Sequence, residues 1–130
     1  MSTIFSKIIS GEIPSYKIAE DELFYAFLDI NPVSKGHTLV VPKKEVDYIF
    51  DIEDDLLKEM MPFCKRVSQA IKKVVPCLRV GVAVVGLEVP HAHVHLIPLQ
   101  SMRDFSFANK INLEKSEFEE LANKIGAAFR

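Results

Sequence analysis

Residues 91–98 read His-Ala-His-Val-His-Leu-Ile-Pro. Such clean alternation reads as a β-strand over 92–98, since successive strand side chains point to opposite faces. Ala92, Val94 and Leu96 then turn into a core, and His91, His93 and His95 form a row on the other face. At about 3.3 Å per residue the row is roughly 13 Å long. Burying three imidazoles for stability alone is costly, because each ring has two nitrogens to satisfy. This segment therefore demands a sheet with one apolar face and one chemically occupied face.

The rest of the chain can supply that sheet. Its 130 residues, 48% hydrophobic and 26% charged, are expected to make one domain over 1–130. The longest apolar or glycine stretch, Val80–Leu87, is too short to cross a bilayer. Lys7 interrupts the first apolar stretch, unlike the basic-then-apolar order of a secretory signal. With 16 basic and 18 acidic side chains, no cationic excess exists for nucleic acid. An anionic ligand must be held by a few placed donors. Cys64 and Cys77 form no Cys-x-x-Cys, and two reduced thiols in a cytoplasmic protein are expected.

Local patterns give an α+β order with a mostly antiparallel sheet. Thr3–Gly11 reads as a short helix, capped by Ser2 or Thr3 and ended by Gly11. Leu23–Asp29 and His37–Val41 read as strands around the turn residues Asn31, Pro32 and Gly36. Asp51 is a plausible N-cap for a long helix. Leu56, Met60, Phe63, Val67, Ala70, Ile71 and Val74 form its apolar stripe, and Pro62 should bend it. Leu78–Val85 reads as a buried strand. Phe118, Leu121, Ala122, Ile125 and Phe129 mark a last amphipathic helix with Ser116 as a cap.

Four readings fit the histidine row. It can be a hydrogen-bonded row without chemistry, or a metal site with His37 as a further ligand. It can carry out phosphoryl or nucleotidyl transfer, with neutral imidazole attacking phosphorus and protonated imidazoles holding the phosphate oxygens. It can also bind an anion without reacting. A row this long splays its outer pair too far apart for all three rings to ligate one small ion, which favours the third reading over the second.

His91-Ala-His93-Val-His95-Leu-Ile-Pro98 resembles the histidine triad motif. Ile4-Phe5-Ser6-Lys7-Ile8-Ile9-Ser10-Gly11-Glu12-Ile13-Pro14 resembles the N-terminal signature of that family. Phe27-Leu28-Asp29-Ile30-Asn31-Pro32 with Gly36-His37-Thr38-Leu39-Val40-Val41-Pro42-Lys43 resembles its nucleotide-binding hairpin. The match spans about residues 4–100. The resemblance implies an α+β homodimer whose sheets join across the interface. It implies cleavage of nucleotidyl groups, usually adenylyl, from phosphoramidates, acyl adenylates or dinucleoside polyphosphates. His93 is then the nucleophile, forming a nucleotidyl-histidine that water hydrolyses. His91 orients it through its backbone carbonyl. His95 and His37 serve the phosphate, Asp29 the ribose hydroxyls, and Ile18, Phe27 and Ile30 the base. No metal or other cofactor is needed, and the partners implied are a purine nucleotide and a second copy of the chain. Taken singly, Phe27 and Ile30 also fit a core, Asp29 a turn, His37 a strand entry, and Lys43 and Lys44 a solvated strand end.

The chain also departs from the family pattern. Many members place Cys at the positions of Thr3 and Ser6 and His at Glu45, building a structural zinc site with the first triad histidine. Hydroxyls are poor zinc ligands, so no structural zinc is expected here, and hydrogen bonds or packing must hold the first helix. Before the triad, Gly86-Leu87-Glu88-Val89-Pro90 replaces the amide and hydroxyl the family uses on the phosphate. Glu88 puts a carboxylate where an anion is expected. Residues 101–130 differ as well, which points to a different leaving group.

Overall fold

The computed structural model describes residues 2–130. Its secondary structure runs α1 (Ile4–Ser10), β1 (Lys17–Glu20), β2 (Phe24–Leu28), β3 (Thr38–Pro42), α2 (Asp54–Val74), β4 (Arg79–Ala83), β5 (Val94–Leu99) and α3 (Lys115–Ala128). The five strands form one antiparallel sheet in the order β1-β2-β3-β5-β4. The α+β fold class is as expected.

α2 and α3 cover one face. The stripe Met60, Phe63, Cys64, Val67, Ala70 and Ile71 meets Phe24, Ala26, Leu28, Val40, Val94 and Leu96 from the strands. Phe118, Leu121, Ala122 and Ile125 of α3 complete that cluster. The other face carries a smaller cluster, in which Phe5 and Ile8 of α1 pack on Tyr25, Phe27, Leu39 and Val41. Thr3 accepts the Ser6 N–H and caps α1, while Gly11 ends it at φ 88°.

Four details differ from the sequence reading. Asp51 closes a 3-10 turn over Ile49–Asp51, and α2 starts at Asp54. Ser116 does not cap α3; Glu114 does, in a reciprocal pair with Glu117. β1 has no strand signature, because its Lys-Ile-Ala-Glu buries two adjacent residues rather than alternating ones. The run 78–85 is not buried within the chain. Its strand part, β4, pairs only with β5 at the sheet edge and leaves Val82 46% exposed. α2 continues through Pro62, which is exposed and costs the exposed Lys58 carbonyl its helical donor.

Candidate functional site

β5 and the three residues leading into it set out the histidines as the alternation requires. Ala92, Val94 and Leu96 enter the helix-covered core, and the three rings lie toward α1. Ala92 and His93 precede the ladder, since β5 begins at Val94. All three rings are buried, yet each has partners, and those partners fix their tautomers.

The Nε2–H of His91 donates to the Pro42 carbonyl at 2.8 Å. Its Nδ1 therefore accepts, taking the Thr3 hydroxyl at 2.8 Å. Burial lowers the pKa of this ring and keeps it neutral. His93 donates Nδ1–H to the His91 carbonyl at 2.7 Å, which leaves its Nε2 lone pair without a protein partner. The Phe5 ring edge packs on His93 with centroids 5.0 Å apart.

His37 sets the third ring. Its Nδ1 accepts the Val33 N–H at 3.1 Å, so its proton sits on Nε2. That N–H donates to Nδ1 of His95 at 2.9 Å, and His95 in turn carries its proton on Nε2. Gly36 makes this placement possible. Its φ is 94°, and an added Cβ there would meet Val75 and Pro98 at 3.0 and 3.1 Å. Burial pulls the His37 pKa down to about 4, against the opposing pull of Asp29, and that of His95 to about 3. Both rings are neutral near pH 7. The expectation of protonated imidazoles around a phosphate is thus corrected for His37 and His95: the His37 N–H is spent on His95, and His95 offers a single N–H from Nε2.

A cavity of about 520 Å³ opens on this face. His93 and His95 line it, with Phe27, Asp29 and Ile30 from the β2–β3 region. Asp29 accepts the Asn31 N–H at 2.8 Å and stands 3.6 Å from Nε2 of His37. His91 and His37 lie behind the lining. Ile18 does not join it: its side chain sits on the opposite face, in the cluster with α3. The apolar wall comes instead from Ile4, Phe5, Ile8 and Ile13, within the N-terminal signature. Lys43 and Lys44 pair with Glu20 and Glu53 outside the cavity. Glu88 lines it, as do Phe107 and Lys110 from the segment before α3. No sequence periodicity marks those last two.

Asp29, His37 and His95 could in principle converge on a cation, with donor atoms within 4.8 Å of one another. The hydrogen-bond roles argue against it. Both nitrogens of His37 are engaged, and the accepting nitrogen of His95 is taken by His37. The family's zinc position fits no better. The Thr3 hydroxyl holds Nδ1 of His91, and Glu45 accepts the Ser6 hydroxyl at 2.6 Å and the Thr3 N–H at 2.8 Å. These are the bonds expected to secure α1. The Ser6 hydroxyl and the Thr3 N–H hold the Glu45 carboxyl below its usual pKa range.

The family model of the HIT domain matches residues 10–102. An uncharacterised HIT-like protein of Borreliella burgdorferi is 40% identical over 131 residues, covering 94% of each chain. The adenosine 5'-monophosphoramidase of Saccharomyces cerevisiae is 44% identical over 96 residues, which is 73% of this chain and 61% of that one. The crystal structure of a HIT-like protein from Bartonella henselae superposes with a TM-score of 0.85 at 33% identity, covering 98% of this chain and 96% of that one. With the sheet, the histidine alternation and these matches in agreement, the chain belongs to the histidine triad family.

Proposed function

We propose that this protein hydrolyses nucleotidyl compounds at the α-phosphorus through a covalent intermediate on His93. The observation that carries this reading is the free Nε2 lone pair of His93 at the cavity wall, with Nδ1–H committed to the His91 carbonyl. An imidazole so held presents Nε2 to the cavity as the nucleophile. The base packs against Phe5, Ile8, Phe27 and Ile30, and Asp29 takes the ribose hydroxyls. His93 attacks phosphorus, the bond to the leaving group breaks, and water then cleaves the phosphorus–nitrogen bond. The Nε2–H of His95, fixed by His37, serves a phosphate oxygen or the leaving atom. Adenine is the default base, in keeping with the phosphoramidase relatives.

The same reading includes a homodimer. The free edge of β4 adjoins an apolar groove of about 580 Å³ lined by Tyr48, Phe50, Met61, Val82 and Val84. Phe50 is 72% exposed, and a second copy pairing along β4 would cover both the groove and the edge. Sedimentation at the 14.7 kDa monomer mass alone would remove this part. The free thiols Cys64 and Cys77 suit a cytoplasmic setting. Among the described residues, no helix is long and apolar enough to cross a membrane.

The test is turnover of adenosine 5'-phosphoramidate and diadenosine tetraphosphate by wild type and His93→Ala. Turnover should be lost in the variant while AMP affinity stays within about tenfold. Intact-mass analysis of quenched wild-type reactions should show an added adenylyl group. A variant that keeps wild-type turnover sinks the mechanism. A second reading, a nucleotide-binding module with weak catalysis, is favoured by the Glu88 carboxylate at the cavity. It requires AMP binding without turnover of either compound.

A further inference from the structure

The cavity is poor in positive charge for a site that must take a phosphate. His37 and His95 are neutral, and Asp29 and Glu88 bring carboxylates to its lining. Among the described residues, Lys110 is the single Lys or Arg that lines it. It forms no ion pair with a carboxylate. Lys17 and Lys43 pair with Glu20, and Lys44 with Glu53, outside the cavity.

Lys110 is exposed, but its segment is fixed to the site by backbone and ring contacts. The segment between the 3-10 turn at Met102–Asp104 and α3 crosses the histidine end of the cavity. The Ile111 N–H donates to the Pro32 carbonyl at 2.8 Å and ties the segment to the β2–β3 turn. Phe107 packs its ring on His95, with centroids 4.8 Å apart, and on His37 at 6.2 Å. The Lys110 ammonium lies 5.3 Å from the Phe107 ring centroid. Its charge also reaches the two imidazoles, opposing protonation of both His37 and His95. The ammonium thus stands by the Phe107 ring, which itself packs on His95.

We infer that Lys110 is a specificity-determining residue which binds the leaving group and selects nucleotidyl substrates whose leaving group carries its own phosphate. The inference rests on the hydrolase reading above and names its substrate class. As His93 bonds to the α-phosphorus, the bridging oxygen departs with the electron pair. The charge that gathers on the departing phosphate meets the Lys110 ammonium, which keeps its proton throughout. An amine leaving group presents no such charge. Water completes the cycle by cleaving the phosphorus–nitrogen bond, and no further reactant is needed.

The experiment compares kcat/KM for diadenosine tetraphosphate and adenosine 5'-phosphoramidate in wild type, Lys110→Ala and Lys110→Arg. The two substrates share the adenylyl group, so base and ribose contacts cancel in the ratio. A charge-assisted contact to phosphate predicts that Lys110→Ala lowers the polyphosphate-to-phosphoramidate ratio by about tenfold or more. Lys110→Arg should restore most of it. A ratio unchanged in Lys110→Ala, whether both rates fall together or neither moves, overturns the inference and leaves the hydrolase reading standing. Wild-type protein that cleaves neither substrate overturns both.

Discussion

The two faces of the sheet are held by different means. The α2–α3 face is closed by area, with Phe24, Leu96, Phe63, Ile71 and Ile125 almost wholly excluded from water. The α1 face has a smaller apolar cluster and a set of directed bonds: Thr3 to His91, His91 to Pro42 and His93, His37 to His95, and Glu45 to α1. Burial is non-directional and forgives substitution by similar volume. Hydrogen-bonded rings do not, because each partner fixes which nitrogen carries the proton. The fold can therefore be stable on one face and chemically specific on the other.

The largest effect should come from the area-held face. Leu96→Ala opens a hole between β5 and α2 and should cost about 3 kcal/mol. Chemical denaturation would read it. A cost below about 1 kcal/mol would mean that this face is not the main store of stability. The next effect belongs to the bonded face and to pH. His37, His91 and His95 all have pKa values lowered by burial, so the fold resists the protons that the unfolded chain accepts. Stability is then complete above about pH 6.5 and falls as the pH drops toward 4. Each pH unit costs about 1.4 kcal/mol per proton that only the unfolded chain binds. Measurements between pH 6.5 and 5 isolate the histidines from the carboxylates. A flat denaturation midpoint across that range would contradict neutral, buried rings.

The same contrast explains what the sequence disclosed. The helix face was readable because periodicity reports burial: the stripe from Met60 to Ile71 and the alternation of Ala92, Val94 and Leu96 needed only spacing. On the α1 face, no period distinguishes a side chain lining a cavity from one filling a core. Ile18 and Ile8 are both buried aliphatics, yet only Ile8 borders the cavity. Phe107 and Lys110 lie in an irregular segment, brought to His95 by one backbone bond to Pro32 and by ring packing. The exposure of β4 was hidden for a related reason. An apolar run records what must eventually be covered, whether by the same chain or by another.

A smaller effect tests whether hydrogen bonds alone hold α1. Thr3→Val keeps the shape of the side chain and removes the acceptor for the Ser6 N–H and the donor to His91. The loss of a cap and of a bond to a buried nitrogen should cost about 2 kcal/mol. Because α1 carries Phe5 and Ile8 into the cavity, AMP binding should weaken as well. Unchanged AMP affinity at reduced stability would separate the helix's anchoring from the cavity it lines.

The smallest effect concerns Glu88, the one exposed carboxylate of the cavity, on the irregular segment before the histidines. It contributes nothing to either apolar cluster. Its replacement should therefore leave stability unmoved and act through charge alone. Glu88→Ser removes a negative charge facing a phosphate and should raise kcat/KM by a few-fold, more at low salt than at high, since screening weakens an exposed charge. The salt dependence separates repulsion from geometry. A gain that persists undiminished at 0.5 M salt, where the screening length is about 4 Å, would assign the effect to the new hydroxyl. No change at any salt would mean that the carboxylate faces solvent, and the cavity lining would then owe its charge balance to Asp29 and Lys110 alone.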